Sequence, residues 1–129
     1  MTRPPEERTA AGREAEASVC AYLGERGVRI VSRNFRARGG EVDIVARDGD
    51  VLVFVEVRFR EEDGHGLPEE SVGMAKRRRI VAAARGYLAT IPPETWREVR
   101  FDVAAVDGGG PAPVIRYYPG AFDAKGTIL

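Results

Sequence analysis

Apolar and polar positions along this chain follow two periods, and the switches between them mark the elements. Over residues 7–27, Ala11, Ala15, Val19, Tyr22 and Leu23 recur at three- and four-residue steps, the spacing of one helix face, and Gly24 and Gly27 lie where such a helix stops. Thr9 is a suitable N-cap, which leaves Pro4 and Pro5 to a frayed segment over residues 1–8. Strand-like runs follow over residues 28–36, 41–47 and 51–60, separated by Gly39-Gly40 and by Asp48-Gly49-Asp50. Asp-Gly between β-branched flanks is a hairpin signal, so the second and third runs are expected as antiparallel neighbours. Residues 61–71, rich in Glu and Gly, offer almost nothing to bury and are expected as a mobile acidic loop. Helical spacing returns over residues 74–89 with Ile80, Val81, Ala84, Tyr87 and Leu88. Two more strands are expected at 99–106 and 114–118, joined by a Gly-Gly-Gly-Pro turn, while residues 119–129 carry no period and are expected as a tail. The order α-β-β-β-α-β-β describes an α/β domain with a mixed central sheet flanked by helices.

Composition narrows the setting. A chain of 129 residues, 43% apolar and 31% charged, suits one compact domain with a well-solvated surface. A formal net charge of +0 gives no global pull toward a polyanion, so any nucleic-acid affinity must come from charge distribution. Cys20 is the only cysteine, which excludes an internal disulfide and a thiolate-rich zinc site and fits a reducing cytoplasm. No stretch approaches the ~20 apolar residues that span a bilayer, and the N-terminus lacks an apolar signal segment, so no membrane association is expected.

Candidate chemistry lies in the acids of the strands. In the third strand Val51, Val53, Val55 and Val57 fall on one face and Leu52, Phe54, Glu56 and Arg58 on the other. Glu56 therefore sits in a strongly apolar strand, where a carboxylate needs a cation, a donor or a metal ion. In the second strand Glu41 and Asp43 share a face opposite Val42, Ile44 and Ala46, and a hairpin at Asp48-Gly49 brings Asp43 within one or two positions of Glu56. Glu16 lies on the apolar side of the first helix and is a third candidate for the same pocket; Glu41 is an alternative to it. Like charges this close repel, and a divalent cation is the simplest neutraliser, with oxygen ligands favouring magnesium or manganese.

These residues resemble the YraN-like family of small bacterial proteins, on Gly12-x-x-x-Glu16, on the run Gly40-Glu41-Val42-Asp43-Ile44-Val45-Ala46 and on Phe54-Val55-Glu56-Val57-Arg58-Phe59-Arg60. Arg33-Asn34, Lys76 to Arg79 and Arg100-Phe101-Asp102-Val103 extend the match over most of the chain. That family is similar to the archaeal Holliday-junction resolvases and the wider restriction-endonuclease-like superfamily, in which an acid, a spacer and Glu-x-Lys bind metal. The resemblance implies a restriction-endonuclease-like fold, Asp43 and Glu56 as ligands of Mg or Mn, Glu16 as a supporting acid, and Arg58 at the position of the superfamily lysine. Arginine stays protonated, so Arg58 is suited to countering charge on a phosphate rather than to activating water. The expected reaction is hydrolysis of DNA phosphodiester bonds, with branched or junction DNA as one substrate class.

Lys76, Arg77 and Arg79, extended by Arg33 and Arg36, are candidate contacts to nucleic-acid phosphates. Blander readings stand beside these: an edge-strand ion pair for Glu56 and Arg58, a turn cap for Asp43, a solvated face for Glu16 and for the basic start of the second helix. His65 reads as an incidental surface residue, Cys20 as a core filler and Trp96 as a packing anchor. Three hypotheses follow: a metal-dependent endonuclease, a nucleic-acid-binding module that keeps the scaffold without turnover, and a protein-binding adaptor. A homodimer would suit a two-fold substrate.

Overall fold

The computed structural model describes residues 9–60, 72–108 and 112–129. The expected frayed segment 1–8, the acidic loop 61–71 with His65, and most of the Gly-Gly-Gly-Pro turn lie outside these residues. The elements are α1 (Ala10–Glu25), β1 (Arg29–Ala37), β2 (Gly40–Asp48), β3 (Val51–Arg60), α2 (Met74–Leu88), a 3₁₀ turn at Pro93–Thr95, β4 (Glu98–Asp107) and β5 (Val114–Phe122). This is the α-β-β-β-α-β-β order that the hydropathy pattern predicts. Thr9 caps α1, its side chain accepting a hydrogen bond from the Gly12 amide at 3.0 Å.

The strands form one mixed sheet in the order β1-β2-β3-β4-β5. Neighbours are antiparallel except β3 and β4, which run parallel because α2 carries the chain back between them. The β2–β3 hairpin closes one residue later than the Asp-Gly signal suggests: Asp48 pairs with Val51, so Gly49 and Asp50 form the turn, with Gly49 at φ 65°.

Two apolar layers sandwich the sheet. On one face α1 packs Ala15, Val19 and Leu23 onto Ile44, Ala46, Val53, Val55, Ala104 and Val106. On the other α2 packs Ile80, Val81, Ala83 and Ala84 onto Val45, Leu52, Phe54, Phe101, Val103 and Phe122. Phe54, with no exposed surface, stacks on Phe101 at 5.8 Å and meets Tyr87 edge-on at 6.0 Å. Burying a ring of that size contributes about 1.5–3 kcal/mol. Gly40 lets α2 approach β2: a Cβ at that position would stand 1.8 Å from the Arg79 carbonyl oxygen.

Two expectations are corrected. Val42 does not share a layer with Ile44 and Ala46; it packs under α2 beside Phe35, whereas the other two pack under α1. The alternation slips where β2 stops pairing with β3 beyond Ile44 and where Asn34, in the facing stretch of β1, takes φ 54°. Residues 119–129 are not a tail. β5 continues through Pro119 to Phe122, the chain turns at Asp123 and Gly126, and Ile128 returns to bridge Phe122. Pro119 is tolerated because this is a sheet edge with an irregular stretch opposite Phe101–Val103, where no ladder donor is required of it.

Candidate active site

The β2–β3 ladder runs from Asp48↔Val51 to Ile44↔Val55 and then ends. One step further on the same register come Asp43 and Glu56, the two acids that the hairpin was expected to bring together. The strands part here, and a carboxylate replaces the missing ladder carbonyl: Asp43 Oδ2 accepts a hydrogen bond from the Val57 amide at 2.8 Å. Asp43 is thereby fixed by backbone, and its carboxyl also shares a hydrogen bond with Glu56. Glu56, 2% exposed, points into the α2 layer on the side of Leu52 and Phe54.

The Glu56 carboxyl is pushed well above the ordinary carboxylate range, first by burial and then by the charge and hydrogen bond of Asp43; Lys76 and Arg58 oppose the shift. Two carboxyl groups can share a hydrogen bond only if the pair holds a proton. The cations come from two directions. Arg58 Nη1 lies 3.4 Å from Glu56 Oε2 along the same strand, as strand alternation predicts, and Lys76 Nζ reaches the same oxygen at 3.5 Å from the first turn of α2. Beside Glu56, its β4 neighbour Val103 borders a cleft of about 450 Å³ whose lining includes Val72, Arg77, Tyr118, Phe122 and Leu129.

Other candidates stand elsewhere. Glu16 is buried in the α1 layer with Arg33 at 3.6 Å, and Glu41 lies 3.3 Å from Arg36. Among the described residues no three acid, histidine or cysteine side chains gather closely enough to share a metal ion, so Glu16 does not join Asp43 and Glu56 as a third convergent acid. Each of these acids instead faces an arginine of β1, the strand beside β2 at the sheet edge. Arg77 holds the C-terminal turn: its side chain donates to the Gly126 carbonyl at 2.5 Å and to the Val72 carbonyl. For Arg79 the close approach is that of its backbone to Gly40. Of the five cations expected on phosphate, Lys76, Arg77, Arg33 and Arg36 thus have partners within the protein. Trp96 packs half-buried against the α2 layer as an anchor, and Cys20 packs against the α1 layer with its thiol pushed up by burial.

One polar cluster has no counterpart in the sequence reasoning. Asp102, fully buried in β4, accepts two hydrogen bonds from Arg100 at 2.9 and 3.0 Å, one from the Gly120 amide at 2.9 Å and one from the Tyr117 hydroxyl. It ties the irregular stretch of β5 to β4. An acid in the apolar run Phe101-Asp102-Val103-Ala104-Ala105-Val106 is the same signal that singles out Glu56. Here the partners are all internal, and the burial pushes the Tyr117 hydroxyl far above its ordinary range.

Both halves of the site fall inside a sequence family. The profile described as "Uncharacterised protein family UPF0102" matches residues 15–106, from α1 to the end of β4. The chain belongs to the UPF0102 family. A UPF0102 protein of Anaeromyxobacter dehalogenans is 52% identical over 119 residues, 92% of this chain and 88% of that relative. UPF0102 proteins of Syntrophotalea carbinolica, 43% identical over 93% of this chain and 97% of the relative, and of Rhodococcus opacus, 45% identical over 88% and 96%, match almost as fully. This UPF0102 chain has, among its described residues, no helix long and apolar enough to cross a membrane.

Proposed function

We propose that this UPF0102 protein is a metal-dependent endonuclease that hydrolyses phosphodiester bonds of DNA, with branched DNA as the first substrate to test. The observation that carries the reading is the buried Asp43–Glu56 pair at the point where β2 and β3 part, flanked by two cations. A pair that raises the proton affinity of Glu56 is one that binds a proton or a cation in the same place, which fits a hard divalent ion such as Mg or Mn. Asp43 and Glu56 would hold that ion, which when bound polarises a phosphate oxygen and lowers the pKa of an attacking water.

The chain's own groups supply the rest. The Val57 amide fixes Asp43, so the ligand does not have to be ordered when substrate arrives. Arg58, permanently charged, about one-third exposed and 3.4 Å from Glu56 Oε2, would counter the charge that grows on the phosphate. Lys76 Nζ lies 3.5 Å from Glu56 Oε2 at the start of α2, where its ammonium would orient the attacking water. In this reading the partner is DNA and the compartment the cytoplasm, and a homodimer would suit a two-fold junction.

One observation favours a second reading, a nucleic-acid-binding protein without turnover: both cations already lie within 3.5 Å of Glu56 Oε2, an ion pair that an incoming metal must loosen. Cleavage and electrophoretic-shift assays run in parallel, with and without Mg or Mn, separate the two. Metal-dependent product lost in Asp43→Asn/Glu56→Gln supports the nuclease. Binding without product supports the second reading, and product undiminished in the double variant excludes this site.

A further inference from the structure

We infer that the outward face of α2, together with the turn after β5, forms a phosphate-backbone track for duplex nucleic acid, centred on Arg78, Arg85 and Lys125. The inference deepens the nucleic-acid reading above and rests on it. α2 carries five cations, Lys76, Arg77, Arg78, Arg79 and Arg85, and no acid, so no side chain of the helix itself can neutralise them. In a chain of zero formal net charge, that is a pronounced local excess.

The cations divide by what they touch. Lys76 faces Glu56 and Arg77 is spent on the C-terminal turn, but Arg78 and Arg85 are exposed and make no ion pair among the described residues. They border a notch of about 330 Å³ with Val81 and Ala124 as its apolar floor and Lys125 on the far side. Lys125 is held there by the turn: Asp123 Oδ1 accepts from the amides of Lys125 and Thr127, both at 2.9 Å, so that carboxylate is engaged with backbone.

Seven residues are close to two full turns, so Arg78 and Arg85 project from one helix face about 10 Å apart along the axis, a spacing at which they can meet separate phosphates of one strand. The same helix carries Lys76 to Glu56, so α2 serves both the acids and the track, from different faces. Its cations hold phosphates without reading bases, so they select a duplex and not a sequence.

The test is fluorescence anisotropy of a labelled duplex DNA with the full chain in EDTA, titrated with salt. Arg78→Gln/Arg85→Gln is compared with Arg13→Gln/Arg26→Gln, which removes the same charge from α1 and its C-cap on the other face of the sheet. Loss of two phosphate contacts reduces the salt slope by about 2, so a roughly tenfold affinity gap at 50 mM salt nearly closes by 200 mM. The α1 pair should bind like wild type, and Arg78→Lys/Arg85→Lys should keep most of the affinity. Equal losses from both faces, no wild-type binding at 50 mM salt, or variant-sensitive binding to anionic lipid vesicles in place of duplex would each overturn the inference. Wild-type binding that is salt-dependent and sensitive to the Arg78/Arg85 pair, with no metal-dependent cleavage, would sink the nuclease and leave the track.

Discussion

Replacing Gly40 by alanine should separate α2 from the sheet and, with it, Lys76 from Glu56. An added Cβ would meet the Arg79 carbonyl oxygen at 1.8 Å, the Arg79 carbonyl carbon at 2.8 Å and the Ala83 nitrogen at 3.0 Å. All three are backbone atoms, so no rotamer change relieves the clash. Restoring an ordinary carbon–oxygen contact of about 3.3 Å requires α2 to retreat by roughly 1.5 Å. Ile80, Ala83 and Ala84, all buried against β2 and β3, would lose packing as it moves. Overpacking of this kind costs about 3 kcal/mol, or roughly 10 °C in Tm for a chain of this length. Thermal unfolding followed by circular dichroism measures it. Gly24→Ala provides the opposite sign, since its Cβ would meet nothing within 4 Å and alanine favours the helix by about 0.5–1 kcal/mol. A Gly40→Ala protein melting within about 3 °C of wild type would refute the close approach on which the position of Lys76 depends.

Glu56→Gln should change how stability depends on pH. Because folding raises the Glu56 pKa, the proton it holds favours the folded state fully below the ordinary carboxylate pKa of about 4.3, and that contribution is lost as pH rises through the folded value. The variant should therefore lose less Tm than wild type between pH 5 and pH 8, and an equal or larger loss in the variant contradicts the upward shift at Glu56. Lys76→Gln should lower the DNA cleavage rate about 100-fold while duplex affinity in EDTA changes little; weaker binding with an unchanged rate would make Lys76 a phosphate anchor instead. Asp102→Ala should destabilise by about 2–3 kcal/mol, because Arg100, Tyr117 and the Gly120 amide lose a shared acceptor, read as a lower urea midpoint. Tyr117→Phe should cost less, since only one of those bonds is lost, and a larger loss than Asp102→Ala would reverse the roles assigned within the cluster.

Much of the fold was legible because its signals are local. The helix and strand periods located both helices and all five strands, though not the 3₁₀ turn at Pro93–Thr95, and the Gly49 turn fixed a register that carries Asp43 to Glu56. Two strand features were hidden by what proline and alternation usually mean. Pro119 reads as a strand stop unless the edge position and the irregular stretch opposite Phe101 are known, and Val42 changes layer because pairing ends at a point that no single strand encodes. The acids were legible one by one, as carboxylates in apolar runs, but their grouping depends on which helix covers which face. α1 places Glu16 in one layer and α2 places Lys76 in the other, so the third convergent acid gave way to a convergent lysine. The cations of α2 that make no ion pair among the described residues could not be told from its engaged ones, because Arg77 finds one of its partners in a turn 49 residues away.

The most direct measurement is a crystal structure of the protein in manganese with anomalous differences recorded at the metal. The proposed chemistry requires an anomalous peak bound by the carboxyl oxygens of Asp43 and Glu56, with Lys76 or Arg58 drawn back from Glu56 Oε2. Full-strength diffraction from manganese-soaked crystals with no peak between those carboxyls, and both cations still against Glu56, would contradict it.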